Sequence, residues 1–379
     1  MTTLRTIFRG GPIFDGTTLH SDFALCVEKG RVVELGPAEE VGPSENYVDL
    51  NGDILSPGYV DLQVNGGDGV MFNDEPTAET LTRIASAHRR LGATTILPTL
   101  ITDTPEKTTA AIEAVKAALG AGLEGVGGLH LEGPHLSVAR KGAHDAALIR
   151  PMTEHDLATL VQAASDLPVL MVTVAPENTT LAQVQELVNA GVVVSLGHCN
   201  AEFDTCMAYA NAGARSVTHL FNAMSQLGNR APGLVGAALA SGSLSAGLIA
   251  DGIHVHFETM RAAWAAKRGP GQIYLVSDAM APAGSDIREF TLEGRRVTRE
   301  CGQLILDDGT LAGADLDLST AVRNLVEHVG VPVADALQAA TSLPARLAGL
   351  PDHVGALSLG QTANLIRIRS DLSGVESLN

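Results

Sequence analysis

Four residues able to bind a metal ion or move a proton each stand directly after an apolar run. Val126-Gly127-Gly128-Leu129-His130-Leu131 leads to Glu132, and Val192-Val193-Val194-Ser195-Leu196-Gly197 leads to His198. Arg215-Ser216-Val217-Thr218 leads to His219, and Ile273-Tyr274-Leu275-Val276-Ser277 leads to Asp278. One carboxylate and two imidazoles suit Zn²⁺, and also Fe²⁺ or Mn²⁺; three protein ligands with a position left for water is the catalytic form of such a site. Taken singly, Glu132 reads as an ion-pair partner and each histidine as a polar residue near a loop. Together, at the ends of three separate strands, they can converge on one ion. Asp278 is then suited to take a proton from an activated water and return it to a leaving group.

The elements that must position these residues follow from the same runs. Continuous Val/Ile/Leu stretches mark strands covered on both faces, and polar residues at strand carboxyl ends are where a (β/α)8 barrel keeps its chemistry. Eight strand candidates occur: Gly58–Gln63, Thr94–Thr99, Val126–Glu132, Val169–Val174, Val192–His198, Ser216–His219, Ser245–Asp251 and Ile273–Asp278. Helical patterns such as Thr77–Leu91, Pro105–Leu119, Glu154–Ala164 and Thr180–Ala190 separate them, several opening on Thr or Pro as helix starts do. Eight alternations favour a closed barrel over an open sheet. The fold class is therefore α/β: a (β/α)8 TIM-like barrel with a small β-sandwich domain formed by both termini. Residues 1–55 plus 350–379 make the small domain and 56–349 the catalytic barrel. Phe290–Leu311 alternates in β fashion with Gly turns, which predicts a β-hairpin insertion near 286–313 beside the barrel mouth.

The totals narrow the partners. The chain of 379 residues is longer than a barrel alone needs, which leaves room for the appended unit. A formal charge of −18 disfavours nucleic acid and anionic membranes, both of which reward basic patches. Ala231–Ala250 is uncharged for twenty residues, but its Pro, its several Gly and its three Ser read as a helix, a turn and a strand rather than a membrane span. The four cysteines are widely spaced without a C-x-x-C pair, and the amino terminus has no apolar signal-peptide core, so a cytoplasmic protein with free thiols is expected.

Six segments carry a resemblance. Pro57-Gly58-Tyr59-Val60-Asp61-Leu62-Gln63-Val64-Asn65-Gly66, Gly128-Leu129-His130-Leu131-Glu132-Gly133-Pro134 and Lys141-Gly142-Ala143-His144 are three of them. The others are Ser195-Leu196-Gly197-His198, Thr218-His219-Leu220-Phe221-Asn222-Ala223-Met224 and Val276-Ser277-Asp278-Ala279-Met280. They resemble the N-acetylglucosamine-6-phosphate deacetylase family of the amidohydrolase superfamily over nearly the whole chain. The resemblance implies hydrolysis of the acetamide of N-acetyl-D-glucosamine 6-phosphate to D-glucosamine 6-phosphate and acetate, in amino-sugar catabolism and recycling. It places one divalent metal, Zn first and Fe or Mn as alternatives, on Glu132, His198 and His219, with Asp278 as acid and base. It further implies that His144 polarises the amide carbonyl and that Gln63 faces the substrate. The phosphate would meet Asn222, Ala223, His254 and Arg230, the last reaching across a homodimer. Those groups would supply the positive field that the acidic total withholds.

Departures from the family pattern are informative. Gln63-Val64-Asn65 stands where many amidohydrolases have His-x-His for a second metal, and neutral amides are poor ligands, so a single ion is expected. The fourth strand ends Val174-Ala175-Pro176-Glu177 without a lysine that could bridge two metals. Ala231 replaces an acidic residue, and Ser370–Asn379 lacks an apolar closing strand. A deaminase on the same scaffold would need an added glutamate acid, for which Glu202 is the nearby candidate. A non-catalytic barrel would have lost ligands that this chain keeps.

Overall fold

The computed structural model describes residues 5–378. Eight parallel strands lie in sequence order: Tyr59–Val64, Ala93–Ile101, Leu129–Glu132, Leu170–Val174, Val193–Leu196, Ser216–Val217, Ser245–Leu248 and Ile273–Leu275. Nearly every residue in them is buried, as the unbroken apolar runs require. The eighth strand closes the barrel on the first through a Val64–Ala279 bridge and through a side chain. The Asp61 carboxylate, fully buried on the first strand, accepts the Ser277 N–H at 3.2 Å.

Four of the covering helices begin as the sequence predicts. Thr77, Thr104, Thr153 and Thr180 each cap a helix by accepting a backbone N–H from its first turn, a contact worth about 1 kcal/mol. These helices run over Ala78–Arg90, Pro105–Gly120, Glu154–Asp166 and Leu181–Asn189.

Two small sheets hold the terminal segments. One is built from the amino-terminal strands Arg5–Arg9, Phe23–Glu28, Arg31–Pro37 and Asn46–Asp49. The other joins Ile13–Phe14, Leu19–His20 and Ile54–Pro57 to the carboxyl-terminal Leu365–Ile368 and Val375–Ser377. The tail thus contributes a strand after all. Val375-Glu376-Ser377 pairs at a sheet edge, with one neighbour and half-buried flanks, so it needs no apolar run.

The insertion also differs from expectation. It is a four-stranded antiparallel meander, Glu289–Leu292, Arg295–Glu300, Gln303–Leu306 and Leu311–Ala314, rather than one hairpin. Left-handed turns at Glu293-Gly294 and Cys301-Gly302 reverse it twice in quick succession. Its last strand returns to the barrel, where the Ala314 N–H donates to the Asp278 carbonyl at 2.9 Å.

Candidate metal centre and active site

Each functional side chain sits at or just past a strand end, where the backbone turns sharply. The third strand ends on Glu132 itself, whereas His198, His219 and Asp278 lie two or three residues beyond their strands. Those three adopt left-handed backbone angles, φ 45°, 30° and 51°. Such φ values are uncommon for residues with a Cβ and cluster where the surrounding structure holds a side chain in a required direction.

The result is a tight triangle. Glu132 Oε1 lies 3.0 Å from His198 Nε2 and 3.0 Å from His219 Nε2, and the two nitrogens are 3.0 Å apart. Three donors each about 2.1 Å from one ion stand about 3.0–3.4 Å from one another. All three side chains are buried, and theirs is the cluster among the described residues that could hold a metal ion. The outer contact of His198 agrees with ligation. His198 Nδ1 lies 2.8 Å from the Arg140 carbonyl, which can only accept, so that nitrogen carries the proton and Nε2 presents its lone pair. His219 Nδ1 is buried without a partner. Burial opposes ionisation of Glu132, but the adjoining His198 and His219 outweigh it and hold its carboxyl well below the usual range. The residues fit a single divalent ion.

Asp278 faces this triangle with one oxygen committed. Its Oδ1 accepts Gln63 Nε2–H at 3.0 Å and Asn65 Nδ2–H at 2.8 Å. Burial and the negative charge of Glu132 push its carboxyl up to about 6, against the opposing effects of His219 and Asn65. A carboxyl in that range can both accept and release a proton near neutrality.

His144 is positioned by its neighbours. The Thr102 backbone N–H, which can only donate, points at His144 Nδ1 at 3.3 Å, with the Thr102 hydroxyl at 2.8 Å. Burial, and then the neighbouring His198, hold this imidazole well below its ordinary value, so it is neutral. A neutral ring accepting at Nδ1 carries its proton on Nε2.

A cavity of about 270 Å³ is lined by Glu132, His198, His219, Asp278 and His144 together with Asn222, Ala223 and His254. His254 is anchored through Nδ1, 2.6 Å from the Asp251 carboxylate, which also accepts the Ile253 and His254 N–H groups. His256, two residues on, instead caps the helix Phe257–Ala266. In the turn after the sixth strand, His219, Phe221 and Ala223 all have positive φ, alternating with residues that do not. Within this turn the Leu220 and Asn222 N–H groups donate to the Gly247 and His219 carbonyls at 2.7 and 2.9 Å.

One expectation is corrected. Gln63 is 2% exposed and does not line the cavity. Its amide nitrogen bridges Glu132 Oε2 at 3.1 Å and Asp278 Oδ1, so it orders two carboxylates instead of facing substrate. Arg230 is exposed and lines a separate recess with Arg140, Asn200 and Glu202. Within one chain it contributes nothing to the cavity, and neither does Glu202, which removes the acid a deaminase would need. Sequence reasoning missed Thr102 and the orienting role of Asn65. Thr102 follows the second strand directly, the same signal that marked the other four.

Residues 54–377 match the amidohydrolase family. The chain belongs to the amidohydrolase family. Among its amidohydrolase relatives is an N-acetylgalactosamine-6-phosphate deacetylase from Shewanella sp., 43% identical over 85% of this chain and 81% of the relative. The crystal structure of N-acetylglucosamine-6-phosphate deacetylase from Pasteurella multocida superimposes with a TM-score of 0.92 at 33% identity, covering 98% of this chain and 97% of that one. A mutant of the Mycobacterium smegmatis N-acetyl-D-glucosamine-6-phosphate deacetylase, in complex with N-acetyl-D-glucosamine-6-phosphate, gives 0.90 at 31% identity, covering 99% and 97%.

Proposed function

We propose that this amidohydrolase hydrolyses the acetamide of N-acetyl-D-glucosamine 6-phosphate, giving D-glucosamine 6-phosphate and acetate, as a step in amino-sugar catabolism and recycling. The observation that carries the reading is the convergence of Glu132, His198 and His219 with Asp278 in one cavity. One divalent metal, zinc in the first instance, would be held by those three ligands and would supply the Lewis acidity that activates water and polarises an amide carbonyl.

The chain's own groups divide the remaining work. Asp278, with Oδ1 fixed by Gln63 and Asn65, takes the proton of the attacking water at its other oxygen. As the C–O bond forms, the neutral His144 donates Nε2–H to the oxygen that gains charge, the part an oxyanion hole plays. Asp278 then returns its proton to the sugar nitrogen while the C–N bond breaks, releasing acetate and a free amine. The phosphate is received by the turn at Asn222-Ala223 and by His254, whose Asp251 partner orients the ring. Arg230, exposed beside the recess, would come from the second subunit of a homodimer.

All four cysteines are free, in keeping with a cytoplasmic enzyme. Among the described residues no helix is long and apolar enough to cross a membrane, and the acidic total argues against nucleic acid. Domain limits of 1–55 with 350–379 around 56–349 draw support from one small sheet that joins strands of both termini.

A second substrate has a specific observation behind it. The Shewanella relative acts on the 4-epimer, N-acetylgalactosamine 6-phosphate, so that sugar belongs in the same assay. The test is amine release by metal-reconstituted enzyme from both phosphorylated sugars and from unphosphorylated N-acetylglucosamine. Strong preference for a phosphate ester supports the reading. Equal rates with and without phosphate remove the assignments of Asn222, Ala223, His254 and Arg230, and no release from any sugar sinks the reaction.

A further inference from the structure

We infer that Arg295, on the insertion, is a positioning residue for His144, holding the 141–144 loop in place across the cavity. This rests on the role given to His144 above. Arg295 lies 152 residues from Ala143 in sequence, yet its Nη2 donates to the Ala143 carbonyl, immediately before the histidine. The same nitrogen is 2.9 Å from Glu293 Oε2, so the carboxylate steadies the guanidinium from the other side. A planar guanidinium with five donors can serve a carbonyl and a carboxylate at once.

The loop is gripped on two faces. On one, the Ala143 methyl packs against the apolar cluster of the insertion, which includes Leu292, Val297 and Leu304. On the other, a Cβ at Gly142 would come within 3.2 Å of the His198 ring, and its φ of +58° disfavours any side chain there. Between these contacts the His144 N–H closes a tight turn onto the Lys141 carbonyl at 3.0 Å. Thr102 fixes the ring edge and Arg295 fixes the backbone, so both determine where Nε2–H points. Arg295 itself is absent from the cavity lining, which makes it a positioning and not a catalytic residue.

The experiment measures kcat, KM and metal content for Arg295→Met and Arg295→Lys, in the wild-type and in the His144→Asn background. Arg295→Met is expected to lower kcat about 10- to 100-fold, the cost of misplacing a reacting group by about an ångström. KM should move less than about threefold, because the contact acts in the transition state, and metal content should not change. Arg295→Lys should recover part of the loss. In the His144→Asn background Arg295→Met should cost less than about twofold, because groups acting through one another are not additive. An equal cost in both backgrounds, or an unchanged kcat, overturns the inference. Should Arg295→Met fail to fold, Arg295→Lys carries the same comparison. Amide exchange across 141–145 gives a readout independent of turnover: it should quicken in the variant and stay unchanged elsewhere. Wild-type enzyme that releases no amine would end the deacetylase reading, while the exchange result still decides whether Arg295 holds the loop.

Discussion

The two ends of the cavity are built in different ways. At the metal end, Glu132, His198, His219 and Asp278 are each less than a tenth exposed, and they stand at or just beyond the strands of a closed barrel. Their reactive atoms are fixed by side-chain contacts of 2.8–3.1 Å from Gln63, Asn65 and one another. At the opposite end, Asn222 and Ala223 are only half-buried and lie with His254 on loops after the sixth and seventh strands, with Arg230 exposed nearby. Metal ligation tolerates errors of only a few tenths of an ångström, so it needs the rigid frame. A phosphate is large and symmetric and presents several acceptor oxygens, so turns and a reaching side chain can hold it.

The sharpest way to break this comparison is to remove a metal ligand. His198→Ala should leave the purified protein without bound metal and lower kcat/KM by about 10⁴-fold or more, since water then loses its activator. Metal analysis beside the assay decides it, and full occupancy would take His198 out of the ligand set. Asp278→Asn should keep the metal and lower kcat by about 10²- to 10⁴-fold, the range for a lost general base. Its pH behaviour follows from the carboxyl being pushed up to about 6 by burial and by Glu132. A base works only when ionised, so activity is present above its pKa and lost below. With unphosphorylated substrate, kcat/KM should fall about tenfold per pH unit beneath an acid limb at or below about 6, and Asp278→Asn should abolish the limb. Omitting the phosphate matters because its own second ionisation falls near pH 6.

The same contrast explains what was legible in the sequence. Parallel strands advertise themselves as apolar runs, so Glu132, His198, His219 and Asp278 could be read from strand ends alone, and the barrel with them. Thr102 obeys that rule too, but threonine is so common beside loops that the type carries no signal. Gln63 was legible as an amide in place of a metal ligand, yet its bridging of Glu132 and Asp278 depends on barrel curvature that no local pattern encodes. The insertion showed its alternation but not its strand count, because turns at Glu293-Gly294 and Cys301-Gly302 are short and neither has the usual Asn, Asp or Gly at its first position. The phosphate contacts proposed above lie on loops, which carry no periodicity at all, and His144, His254 and Arg230 entered only through resemblance.

Effects at the phosphate end should be smaller and should fall on KM. His254→Ala removes one hydrogen bond to a charged group, worth about 1.5–3 kcal/mol. It should raise KM for the phosphorylated sugar about 10- to 100-fold and leave the rate on the unphosphorylated sugar unchanged. A loss on both substrates would move His254 from recognition to the chemistry.

Arg230→Ala probes the weakest link. An exposed cation loses much of its pull to solvent, so KM should rise only about tenfold with kcat preserved. What separates a residue acting across a dimer from one acting within its own chain is complementation. Arg230→Ala retains Asp278, and Asp278→Asn retains Arg230, so a mixed dimer holds one site with both groups only if the arginine crosses the interface. With equal amounts and random reassembly, half the dimers are mixed and each has one restored site, giving about a quarter of wild-type activity at low substrate. If the arginine serves its own chain, mixing produces no intact site and activity stays at the average of the two separate variants. Either result locates the residue that the single chain leaves outside its own cavity.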